Sequence, residues 1–133
     1  MRVIDGETSD DNSPLRSRKS VGKESTFEYD QLGVQSVFEH LSSLVIRVMK
    51  KAREMGVAGR LGEVKIRYQG FETHTHGRSI PVAMDDDSVF KRLAHGLFAE
   101  HVDHDRPIRL IGFRLGNLEM PESRQSTLDF EEQ

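Results

Sequence analysis

Between residues 35 and 55, Val37, Phe38, Leu41, Leu44, Val45, Val48, Ala52 and Met55 recur at three- and four-residue intervals. That spacing draws one apolar stripe along an α-helix. A helix with such a stripe must bury it, and the segments on either side of it alternate with the two-residue period of strands. The chain is therefore constrained to a helix-on-sheet layer. Gly56 supplies the helix stop, and Arg47, Lys50, Lys51 and Arg53 load the C-terminal half, where the helix dipole favours cations. This gives the basic cluster a sufficient structural explanation.

The remaining elements follow from the same two periods. Residues 18–28 place Val21 and Phe27 on one parity and Arg18, Ser20 and Gly22 on the other. Residues 61–71 oppose Val64, Ile66 and Tyr68 to Lys65, Arg67 and Gln69. After Gly70, residues 73–82 oppose Thr75, Gly77 and Ser79 to His76, Arg78 and Ile80, and the short connection predicts an antiparallel hairpin. Asp85, Asp86, Asp87 and Ser88 precede Phe90, Leu93, Ala94, Leu97, Phe98 and His101, a second amphipathic helix. Residues 106–118 alternate Ile111, Phe113 and Leu115 with Leu110, Gly112 and Arg114, forming the last strand and pairing with the first. The order β-α-β-β-α-β predicts an α+β fold, the ferredoxin-like split βαβ. It has a four-stranded sheet with both helices on one face. Residues 1–15 are polar and turn-rich and read as a disordered linker. The domain spans 16–118, opening on the basic knot Arg16, Arg18 and Lys19, and 119–133 reads as a disordered tail.

The face that the helices leave open carries Arg18, Ser20, Gly22, Lys65, Arg67, Thr75, Ser79 and Arg114. It is small, hydroxylated and cationic, and Phe27, Tyr68 and Phe113 fall on the other parity. A sheet that stacks single-stranded bases presents aromatics. A surface of Arg, Lys, Ser, Thr and Gly suits a sugar-phosphate backbone instead. Gly112, between Leu110 and Arg114, leaves room for a bulky group beside a cation. The net charge of -3 does not advertise a polyanion partner, but acids and bases are segregated along the chain.

Cysteine is absent, which excludes a disulfide framework and a thiolate metal site and fits a reducing, cytoplasmic setting. No apolar run is long enough to span a bilayer, and no signal peptide is visible. Asp85–Asp87 stand just before a helix, where carboxylates cap it, and the His74/His76 and His101/His104 spacings are poor zinc patterns. With no nucleophile, phosphate loop or acid–base pair, the chain is expected to have no catalytic activity and no cofactor of its own. A free-standing ferredoxin-like module binding nucleic acid is the alternative reading. A metal- or small-molecule-binding ferredoxin-like domain is disfavoured by the missing Cys and the lack of a pocket signature.

Three segments, residues 18–24 (RKSVGKE), 75–81 (THGRSIP) and 108–115 (IRLIGFRL), match in order and spacing the C-terminal region of DinB-type Y-family translesion DNA polymerases. The resemblance covers about residues 16–118 and implies the little finger, whose sheet lies along the primer–template duplex. It implies DNA contacts at Arg18, Ser20, Gly22, Thr75, Ser79, Arg109 and Arg114. Arg109 is followed by Leu110, where some relatives carry a second Arg. The implied magnesium belongs to the palm of a parent polymerase, not to these residues. Gln125, Leu128 and Phe130 look like the Gln-x-x-Leu-x-Phe hexapeptide with which bacterial polymerases hold the sliding clamp. Leu128 and Phe130 would fill an apolar pocket, with Gln125 hydrogen-bonding beside it.

Overall fold

The computed structural model describes residues 20–31, 33–70 and 72–120, with the backbone alone for 28–31. Six elements follow one another: β1 (Val21–Gln31), α1 (Val34–Met55), β2 (Gly59–Tyr68), β3 (Thr73–Met84), α2 (Asp87–His101) and β4 (Ile108–Gly116). The order is the one that the periodicities predict. Strand ends differ by a few residues: β2 starts earlier at Gly59 and β3 continues to Met84. Terminal residues of a strand depend on pairing with a neighbour, which a local pattern does not encode.

α1 begins at Gly33 without a side-chain cap and ends where Gly56 turns left-handed at φ 72°. The Val57 amide then donates to the Ala52 carbonyl at 3.0 Å, and the Gly56 amide to that of Arg53 at 3.1 Å, the two bonds of a Schellman turn. In α2 the Asp86 carboxylate accepts from the Ser88 amide at 2.7 Å. Asp87 meets Arg53 of α1 at 2.9 Å, and the Asp85 carbonyl accepts from the same guanidinium at 2.8 Å. The three consecutive aspartates thus cap one helix and hold the end of the other, as carboxylates before a helix are expected to do.

The sheet order is β1-β4-β2-β3, and every neighbouring pair is antiparallel. β1 and β2 run parallel with β4 inserted between them, so the βαβ unit is split by the last strand. Both helices pack on one face, α1 over β1 and β4, α2 over β2 and β3, and against each other. The core between the layers includes Leu41, Leu44, Val48, Val64, Ile66, Phe90, Phe98, Ile111 and Phe113, each 2% exposed or less. Two middle rows of the covered face are apolar on the central strands and polar at the edges: Lys23, Phe113, Val64 and His76 form one, and Ser25, Ile111, Ile66 and His74 the next. No helix among the described residues is long and apolar enough to cross a membrane.

Candidate nucleic-acid interface

The opposite parity of all four strands is uncovered, and the register sorts its side chains into rows. One row runs Gly22, Arg114, Glu63, Gly77; the next runs Glu24, Gly112, Lys65, Thr75; the third runs Thr26, Leu110, Arg67, Thr73. Ser79 lies opposite Leu61 and Gly116 beyond the first row, and Ser20 stands just before β1. Seven sequence-derived residues therefore share one face: Ser20, Gly22, Lys65, Arg67, Thr75, Ser79 and Arg114. None of the described side chains on it is aromatic. Phe27, Tyr68 and Phe113 are buried on the helix side at 6%, 2% and 2% exposure, so base stacking has no platform here.

Arg109 sits apart from this alternation. Arg67 pairs with Leu110 and Tyr68 with Ile108, which leaves Arg109 as the extra residue of a bulge, half-buried. Leu110 takes the open-face position beside Thr26 and Arg67 and is 4% exposed, an apolar side chain among polar neighbours. Arg18 lies outside the described residues, as do Gln125, Leu128 and Phe130.

Parity reading of the cations overlooks two carboxylates. Glu63 accepts from Arg114 through its Nε at 2.8 Å and also through a second guanidinium nitrogen. Lys65 Nζ lies 2.5 Å from Glu24 Oε2. Lys65 and Glu24 stand on strands separated by β4, so their side chains bridge two strand spacings, roughly 10 Å. Gly112 lies between them in the row. A Cβ there would stand 3.0 Å from the Glu24 Cγ and push that side chain aside by a few tenths of an ångström, so the glycine leaves room for the ion pair over β4. Arg67 donates to the Thr73 hydroxyl at 3.0 Å. Among the described side chains, three cations share the face with two carboxylates. Both ion pairs are partly exposed and contribute at most about 1 kcal/mol each to stability. Their contacts with solvent and their modest strength leave them free to exchange partners.

Elsewhere on the surface, His76 stacks on His101 with ring centroids 3.7 Å apart, and His74 lies 6.3 Å from His76 in a nearly parallel plane. Partial burial, then the neighbouring His101 and His74, hold the His76 imidazole below its ordinary value of 6.5. Burial, with Lys91 nearby, does the same for His95, which shares a 2.7 Å hydrogen bond with Ser42. Arg106 and then His74 hydrogen-bond Glu72 and lower its carboxyl, and Arg106 also lies 4.5 Å over the Tyr68 ring. Among the described residues no cluster of His, Asp or Glu is arranged to hold a metal ion.

Comparison with known proteins agrees with this architecture. Residues 18–128 match the impB/mucB/samB family C-terminal domain. The DNA polymerase IV of Methanoculleus marisnigri is 36% identical over 111 residues, which cover 84% of this chain and 31% of that protein. The DNA polymerase IV of Streptococcus thermophilus is 31% identical over 121 residues, covering 89% of this chain and 33% of its own length. The chain thus spans about a third of these relatives. Among solved structures, a complex of a β-clamp processivity factor with the little finger domain of PolIV superposes with a TM-score of 0.54 at 18% identity. The overlap is 73% of this chain and 86% of that one. An insertion ternary complex of Dbh DNA polymerase gives 0.61 at 17% identity, over 81% of this chain and 31% of that one. By sequence and fold together, the chain belongs to the impB/mucB/samB family as a C-terminal, little-finger domain of the DinB type.

Proposed function

We propose that this domain grips the primer–template duplex for a translesion DNA polymerase and that residues 125–130 tether that polymerase to the sliding clamp. One observation carries the first half: the uncovered face sets Ser20, Gly22, Lys65, Arg67, Thr75, Ser79 and Arg114 together with no aromatic among its described residues. Guanidinium, ammonium, hydroxyl and exposed backbone suit phosphate oxygens and carry little base readout. Arg109, in its bulge, and Arg18, ahead of β1, extend the same contact set. The relatives are DNA polymerases IV, which supports a polymerase parent. That parent is read as cytoplasmic, with its catalytic magnesium on a palm domain outside these residues. The clamp half rests on the spacing of Gln125, Leu128 and Phe130. A related little finger is known in complex with a β-clamp, which supports the same partner here.

Titration of duplexes of differing sequence at several salt concentrations tests the grip. Binding should vary little with sequence and weaken steeply with salt, because phosphate contacts release counterions. Arg114→Ala should weaken all duplexes alike and flatten the salt slope by about one unit. A changed sequence preference, or no change in a folded variant, would refute the open-face assignment.

A further inference from the structure

On the helix-covered side, the edge of β1 and the flank of α1 border a shallow groove of about 240 Å3 lined by Lys23, Arg47, Lys50, Lys51 and Glu54. All five side chains are exposed, and none of the four cations takes part in an ion pair among the described residues. This contrasts with the open face, where Lys65 and Arg114 each have a carboxylate partner. The helix dipole accounts for cations in the last turn of α1. Contrary to the expectation from the sequence, it does not reach Arg47, about two turns before Met55, and it does not account for Lys23, which comes from a different element. Four cations gathered around a single carboxylate, Glu54, repel one another on balance, and a bound polyanion relieves that repulsion.

The position of Lys23 bears on which polyanion would fit. Along β1 it alternates with Gly22 and Glu24 of the open face, so the groove lies just around the sheet edge from the surface read as the duplex grip. A duplex, stiff over roughly 150 base pairs, does not fold over such an edge. A single strand does. Among the described residues no aromatic lines the groove, so the contacts it offers a strand are to phosphates and not by stacking. We infer that this groove holds the sugar-phosphate backbone of a single strand continuing from the gripped duplex. The inference rests on the open-face reading.

The test compares a blunt DNA hairpin with the same hairpin carrying a single-stranded extension of about ten nucleotides, within the site sizes of single-strand grooves. The variant is Arg47→Gln, Lys50→Gln, Lys51→Gln in the full chain; glutamine keeps helix propensity and these positions are solvent-facing. For the unsubstituted chain the extension should tighten binding and steepen the salt slope by roughly 2 to 3 units, at ~0.7 per phosphate for single strands. The variant should bind both hairpins with the affinity of the unsubstituted chain for the blunt one. Lys23→Gln, on the other wall, should shift binding in the same direction by less. An extension without effect overturns the inference, as does a variant that loses equally on both hairpins. If a polyglutamate peptide binds the groove while the extension does nothing, the partner is an acidic protein and the inference fails. Binding of the extension alone, with no binding of the blunt hairpin, would keep the groove assignment and remove the open-face reading.

Discussion

Glu24 and Glu63 have the sign opposite to the cations around them, on a face read as a phosphate grip. A phosphate that takes Arg114 must displace or share the Glu63 carboxylate, and that competition subtracts from affinity. Glu63→Gln should therefore tighten duplex binding by about fivefold, on the order of the 1 kcal/mol of an exposed pair. Fluorescence anisotropy against one duplex at fixed salt measures it, and unchanged or weaker binding would mean that Arg114 does not meet phosphate. These carboxylates were present in the alternation of residues 18–28 and 61–71, in step with Gly22 and Lys65. Their effect was not legible, because it depends on pairing between positions 41 and 51 residues apart. Arg109 was equally opaque: an even alternation says nothing of a bulge at Arg109 opposite the Arg67–Tyr68 step.

For single elements the local sequence says more. The stripe of α1, its Gly56 stop and the aspartates before α2 all act as their spacing indicates, since a helix satisfies its own backbone. Gly56→Ala places a Cβ at φ 72° and should cost about 1 to 2 kcal/mol in denaturant unfolding, with DNA binding unchanged once folded. Strand order is different in kind; nothing inside β4 announces that it separates β1 from β2. The stack of His74, His76 and His101 is likewise a product of β3 meeting the end of α2, and the neighbouring Arg78–Glu100 and Glu72–His74 pairs share that edge. His76 and His95 both have folded values below 6.5, so the unfolded chain binds more protons. Stability is then fully present above that value and is lost as pH falls through the folded values. Melting temperature should fall on acidification from about pH 7 to 5, and His76→Gln should flatten part of that fall. A slope that does not change in His76→Gln would place the effect on His95 or elsewhere.

Across the whole molecule, the clamp reading concerns residues past the last strand, where Leu128 and Phe130 stand among Gln, Ser, Thr, Asp and Glu. If each anchors in a partner pocket at about 2 kcal/mol, losing both lowers clamp affinity by several hundredfold or more. The double change Leu128→Ala, Phe130→Ala should do so while leaving thermal stability and duplex binding as they were. Equal titration curves against a bacterial-type clamp would make the hexapeptide a coincidence. The ion pair laid over Gly112 has a consequence for movement as well as for holding. A polymerase advances one nucleotide at a time, and any domain on its product duplex has to let go and take hold again at each step. A bare cation would be stripped of phosphate and left to bulk water at every step. If Lys65 meets phosphate as proposed, its Glu24 partner would receive it between one phosphate and the next, exchanging one oxygen for another. On the proposed reading, glycine at position 112 keeps that relay within reach, and the domain works as a low-friction bearing as much as a clasp.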